Sequence, residues 1–285
     1  MSRKMRRLIV NADDLGISLS VNAKIEECIN SGIVSSSTLL ANAPEFEDGV
    51  GIAKKYPAIS VGVHLNLIEF KPLTNNDIFR RYGMTDDNGC FIEGAAFFAE
   101  YDGILLQAVF EEWDAQISKV EDAGIIPSHV DSHQHTHTIK ALNEVLCRVM
   151  DKHQIVCVRR KVIPSIVLMM WEKRHPVLLD KSAAIVRPKR NILYRRLHLI
   201  ASIFKCKRWN RKMAGRYRMT DSFYAFRPFY HNRKYLETGR KSAVVELMCH
   251  PGHTAYKDET DELTHIYPML ADGYQLISYR DLKKE

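Results

Sequence analysis

The segment HVDSHQHTHT at residues 129–138 sets His129, His133, His135 and His137 around Asp131. Imidazoles and a carboxylate are the ligand types that hold a divalent cation, although a solvated polar turn could use the same residues. Three other stretches carry related chemistry. Asp13 and Asp14 lie in LIVNADDLG, His64 and Asn66 in VGVHLNL, and His250 and His253 in VELMCHPGH. Each has a plain alternative: the aspartates could cap a helix, and His64 could be a hydrogen-bonded core residue. Together they favour a metal site, because each follows a stretch that reads as a strand.

Two neutral imidazoles and one carboxylate leave a divalent ion with open positions for water and substrate. Such an ion can bring the pKa of its water from ~15.7 towards ~7. A second carboxylate can take the proton from that water, and a further histidine can protonate the leaving group. Either of Asp13 and Asp14 suits the ion and the other the water, since neighbours on an extended segment point different ways. A set of this kind hydrolyses a polarised carbonyl.

The elements that must position these residues alternate. RLIV (7–10), SSTLLANA (36–43), ISVGVHLNL (59–67), PSHVDSH (127–133), IVCVRR (155–160), SAVVELMCHPG (242–252) and YQLIS (274–278) read as strands. Helices are expected after Ser18 or Ser20, over EFEDGVGIAKKYP, over residues 105–124 and over IKALNEVLCRVMDKH. Alternation of this kind gives a parallel α/β architecture. Neither GxGxxG nor GxxxxGK[ST] occurs, which counts against a dinucleotide-binding sheet. The expectation is a (β/α) TIM-like barrel, a single domain over 1–285, with insertions at 70–101 and at about 164–220. Strand C-terminal ends meet at one mouth in such a barrel. By the strand period of two, His64 and Asn66 share a face, as do Asp131, His133, His135 and His137.

Composition adds two bounds. The chain has 285 residues and six cysteines with no CxxC pair, which suits reduced thiols in the cytoplasm. No apolar run of 18 residues and no secretory leader pattern is present, so a membrane span is not expected. From Arg159 to Arg218 there are 18 Lys or Arg against Glu172 and Asp180, a local +16 in a chain of net +7. That block is either a solvated face or a field for an anionic partner. Its stretch NILYRRLHLIASIFKCKRW reads as an amphipathic helix that could pack on the core, on a second subunit or on a membrane surface.

The motifs LIVNADDLGIS, VGVHLNL, PSHVDSHQHTH and VELMCHPG resemble, in that order, those of the YdjC-like carbohydrate deacetylases. These include the chitooligosaccharide deacetylase and hopanoid-biosynthesis deacetylase-like proteins. The resemblance implies an irregular (β/α) barrel that removes acetyl groups from N-acetylated sugars with one divalent ion, magnesium or zinc. It implies Asp14, His64 and His133 as metal ligands, Asp13 as catalytic base and His250 as the acid that protonates the departing amine. Asn66, His135, His137 and His253 are then expected to line the substrate. The basic block departs from the family and suggests a phosphorylated or lipid-linked glycan, at a protein lying peripherally at the membrane surface. Nucleic acid is not expected as a partner, and a homodimer is expected from the frequency of paired barrels. The competing readings are a metal phosphoesterase and a non-catalytic binder of an anionic partner.

Overall fold

A computed structural model of the chain describes residues 5–74, 76–165, 192–236, 243–271 and 273–283. The strands are β1 (Arg6–Leu15), β2 (Ser36–Leu39), β3 (Ser60–Leu65), β4 (Val130–Ser132), β5 (Ser222–Ala225), β6 (Val244–Cys249) and β7 (Tyr274–Leu276). The helices are α1 (Leu19–Asn30), α2 (Phe46–Lys55), α3 (Asn76–Arg81), α4 (Ala95–Phe98), α5 (Gly103–Asp122) and α6 (Asn143–Lys152). They continue as α7 (Ile192–Ala214), α8 (Phe226–Leu236), α9 (Lys257–Leu263), α10 (Ile266–Ala271) and α11 (Tyr279–Lys283).

All strand pairings are parallel, in the order β4-β3-β2-β1-β6-β5, and β7 pairs with the start of β1. The sheet curls. Bridges from Val130 to Val158 and from Cys157 to Arg218 carry the ladder from β4 towards the segment that enters β5. The expected strand IVCVRR is reduced to these bridges, yet it joins the two sides of an irregular barrel. Residues along β1, β2 and β3 are almost all buried, as a parallel sheet covered on both faces requires.

Helices start where a side chain accepts their first amides. Ser18, rather than Ser20, caps α1 by accepting from Val21 N. Asp102 accepts from Ile104 N and Leu105 N. It therefore starts α5 two residues earlier than apolar spacing alone suggests. Helix α5 packs Leu105, Val109, Trp113, Ile117 and Val120 onto the sheet, a stripe at helical period.

The basic insertion leaves the barrel after Val158 and returns at Arg218; residues 166–191 lie outside the described ones. The amphipathic helix appears as α7. Cys206, Trp209, Asn210, Met213 and, just beyond the helix, Tyr217 are buried. Trp209 Nε1 donates to Asn143 Oδ1 at 2.7 Å, and Lys212 Nζ to Glu144 Oε1 at 2.6 Å. The C-terminal part of this helix thus packs on the core through α6. Lys205, Lys207, Arg208 and Arg211 face outwards.

Candidate functional site

Strand β1 delivers both aspartates to one place through an irregularity. Its register with β2 shifts between Ala12 and Leu15, and Asp14 adopts a left-handed backbone with φ 69°. Aspartate tolerates that conformation better than most residues. The shift turns Asp14 back inwards, so the two carboxylates converge on the barrel mouth instead of pointing apart, as regular strand alternation would have them. Both are 2% exposed.

Asp14 meets the two imidazoles. Its Oδ1 lies 2.9 Å from His133 Nδ1 and 3.3 Å from His64 Nε2. One donor atom from each of the three falls within 4.8 Å of the other two. His64 is oriented from behind, with Nδ1 2.6 Å from Asp131 Oδ1. Thr38 Oγ1 donates to Asp131 Oδ2 at 3.1 Å. A carboxylate on Nδ1 holds a proton there and fixes the ring so that Nε2 faces Asp14, the orientation in which metal-ligating histidines are commonly held.

Asp13 has other company. Arg159 NH1 donates to its Oδ2 at 2.6 Å and NH2 to its Oδ1 at 2.7 Å. Asn11 Nδ2 donates to Oδ1 at 2.8 Å. Arg159 is fully buried; its NH1 also lies 2.6 Å from Asp131 Oδ2, and its Nε donates to Glu246 Oε1 at 2.7 Å. Burial raises the Asp13 pKa, but the guanidinium outweighs it and holds the carboxyl well below the usual range. Asp14 is likewise held low, His133 and His64 overcoming its burial. For His64, burial opposes charge, yet Asp131, Asp14 and Asp13 bring its pKa up to about 10. The structure thus separates two aspartates that spacing alone left interchangeable.

His250 follows β6 and stacks on Tyr256, with ring centroids 4.4 Å apart. Glu259 sits behind it: its Oε1 accepts from His250 N at 2.5 Å and lies 3.6 Å from Nδ1. Burial pulls the His250 pKa down, but Glu259, Asp14 and Asp13 outweigh it and leave it at about 9. His253 is half-buried; its Nδ1 accepts from Ala255 N at 3.2 Å. Burial lowers its pKa, opposed most by nearby Asp14.

Three expected substrate contacts are placed differently. Asn66 is fully buried, with Oδ1 accepting from Ile68 N and Glu69 N and Nδ2 donating to Glu69 O and Asn42 Oδ1. Its side-chain atoms are thus committed to the loop after β3 and to Asn42. The shared face from Asp131 to His137 fails because β4 ends at Ser132 and a 3-10 turn, His133–Thr138, begins. Gln134 and His135 there have φ 48° and 60°. His137 is consequently buried, its Nδ1 2.6 Å from Ser132 Oγ. His135 packs edge-on to Phe223 at 5.7 Å, and burial lowers its pKa to about 3. His129 lies deeper in the barrel, stacked on Tyr279 at 3.6 Å.

The sequence reading missed Arg159, Glu246, Glu259 and the supporting role of Asp131. Glu246 offered a signal, as an acid midway along an apolar strand must find a partner. Arg159 offered none, since in the sequence it only heads a run of cations.

The donor set fits a divalent cation. Asp13 and Asp131 are buried against the Arg159 guanidinium, whereas buried Asp14 meets only imidazoles, and a cation bound between them would take over the counter-charge that Asp14 needs. Asp14, His64 and His133 offer one carboxylate and two imidazoles, one of them with its tautomer fixed. A second acidic group, Asp13, His64 and Asp131, already has Arg159 bridging its two carboxylates.

An α/β barrel with acidic and imidazole groups gathered at its mouth is the class that fold and site define. The YdjC-like protein family model matches residues 7–275, and the chain belongs to that family. It is 36% identical over 153 residues to a carbohydrate deacetylase of Clostridium beijerinckii, covering 52% of this chain and 58% of that one. It is 35% identical over 150 residues to a carbohydrate deacetylase of Halalkalibacterium halodurans, covering 52% and 62%. The matched stretches span less than two thirds of those relatives. A solved structure from Enterococcus faecalis, described as a cellobiose-phosphate cleavage protein, shares the fold at TM-score 0.69 and 23% identity. That superposition covers 98% of this chain and 99% of the other.

Proposed function

We propose that this chain is a metal-dependent hydrolase that removes the acetyl group of an N-acetylated sugar and releases acetate. The observation that carries this reading is the convergence of Asp14, His64 and His133 opposite an Arg159-held Asp13. We assign the first three as cation ligands, with two imidazoles favouring zinc over magnesium. Bound there, the cation would polarise the acetyl carbonyl and lower the pKa of water. Asp13, kept ionised by Arg159, orients that water and accepts its proton as oxygen adds to the carbonyl carbon. His250 gives its proton to the sugar nitrogen as the C–N bond breaks, and Glu259 stabilises the imidazolium beforehand. Acetate and the free amine leave. His253 borders the substrate in this reading.

The carboxylates argue against a two-metal phosphoesterase. A binuclear clamp needs a second ligand group, and Arg159 already occupies the space between Asp13 and Asp131. The outward cations of α7 suit a phosphorylated or lipid-linked sugar. No helix among the described residues is long and apolar enough to cross a membrane. The six cysteines are unpaired, so we place the protein in the cytoplasm, where thiols stay reduced.

Metal analysis of the purified protein, with acetate release measured over a panel of neutral and phosphorylated N-acetyl sugars, tests this. About one cation per chain and acetate from at least one sugar are expected. Phosphate release without acetate would replace the reading by the phosphoesterase.

A further inference from the structure

Glu246 and Tyr279 touch none of the groups assigned to water or amine, yet both are completely buried. Glu246 Oε1 accepts from Arg159 Nε at 2.7 Å, and its Oε2 accepts from the Tyr279 hydroxyl at 2.5 Å. Arg159 turns its other two nitrogens to Asp13, and NH1 also lies 2.6 Å from Asp131 Oδ2. A guanidinium is planar and moves as one body, so the carboxylate on Nε, together with Asp131 on NH1, sets the angle at which the fork reaches Asp13. Glu246 can hold that angle only if its own second oxygen is fixed, and Tyr279 supplies the one donor to it among the described residues.

Tyr279 is itself held on several sides. Its ring stacks on His129 at 3.6 Å and an interplanar angle of 8°. Its backbone N–H donates to Ser60 Oγ at 3.2 Å. His129 fits because β3 carries Gly62 beside it; a Cβ at that position would stand 2.5 Å from the imidazole. The hydroxyl is therefore delivered by α11, at the far end of the chain, into the interior beneath the mouth.

We propose that Tyr279 is a positioning residue, which through Glu246 and Arg159 fixes the carboxylate of Asp13. This rests on the assignment of Asp13 as base. Without the hydroxyl, Glu246 Oε2 is a buried acceptor with no donor. The carboxylate then turns, and the fork that orients Asp13 loses its anchor.

The test compares wild type with Tyr279→Phe and Glu246→Gln. One readout needs no substrate: the Arg159 Nε–H proton, followed by NMR for its shift and exchange rate. The others are kcat, KM and bound metal. Losing a hydrogen bond to a charged group should slow kcat by about tenfold in Tyr279→Phe. KM and metal content should stay unchanged, and the Arg159 Nε–H should move and exchange faster. Glu246→Gln should slow kcat further and shift the same proton. In an Asp13→Asn background, Tyr279→Phe should have no additional effect. An unmoved Arg159 proton in both variants overturns the proposal, as does an equal kcat loss in the Asp13→Asn background, which marks a merely structural role. If wild type released no acetate, the deacetylase reading would fail, while the Arg159 proton would still decide whether Tyr279 sets the clamp.

Discussion

In the proposed reaction two neighbouring aspartates do different work because of what each one faces. Asp14 faces imidazoles and Asp13 faces a guanidinium. Asp13→Asn should therefore retain the cation but lose about 10²–10⁴ in rate, the usual contribution of a general base; kinetics beside metal analysis check this. In the proposed reaction the pH profile belongs to His250. Its pKa stands at about 9, and a nearby cation draws it downwards. The acid form is populated below that pKa, so kcat should fall as pH rises through about 9 or somewhat below. Because this pKa is raised above the ordinary 6.5, the group's stabilisation of the fold is full below pH 6.5 and fades over the same rise. Asp13, held low, should add no acidic limb in the neutral range. A rate still climbing above pH 10 would remove His250 as the acid.

At the scale of elements, strand period and strand irregularity share the placement. Regular alternation brings His64 and Asp131 inwards, and this much was legible in the residues. The inward turn of Asp14 was not, because it depends on a register shift against β2, a partner far away in sequence. The end of β4 at Ser132 escaped as well. Alternating histidines suit a strand, whereas two left-handed residues in succession, Gln134 and His135, have no local residue signal. Strand β3 gives the clearest element-level prediction. A Cβ at Gly62 would sit 2.5 Å from His129 and 2.6 Å from its carbonyl oxygen. Backbone cannot yield as a flexible side chain does, so Gly62→Ala should cost about 1–3 kcal/mol or more. Denaturant unfolding measures this; unchanged stability would show that the stack of His129 on Tyr279 is loose.

For the molecule as a whole, alternation and the four motifs made the parallel barrel and the family readable before any coordinates. The basic block was harder to judge, since charge count alone does not distinguish a solvated face from a buried anchor. Structure divides it. Arg159 enters the barrel, the flank of α7 carrying Trp209 and Met213 packs on the core, and Lys205, Lys207, Arg208 and Arg211 face out. Neutralising those four to Gln should change stability by no more than about 0.5 kcal/mol each, as at other surface sites. Turnover of a neutral sugar should hold, while KM for a phosphorylated one should rise in a salt-dependent way. Equal KM values for both substrates, in both proteins, would leave the outward face as solvated surface.

One cation shared by Asp14, His64 and His133 is the centre of the proposed site. Chelator-stripped protein titrated with zinc or magnesium, with acetate release followed at each addition, tests this most directly. Activity should rise linearly to a break at one ion per chain in the wild type, and His133→Ala should neither bind the ion nor recover. Full acetate release by the stripped enzyme, or by His133→Ala, would contradict it.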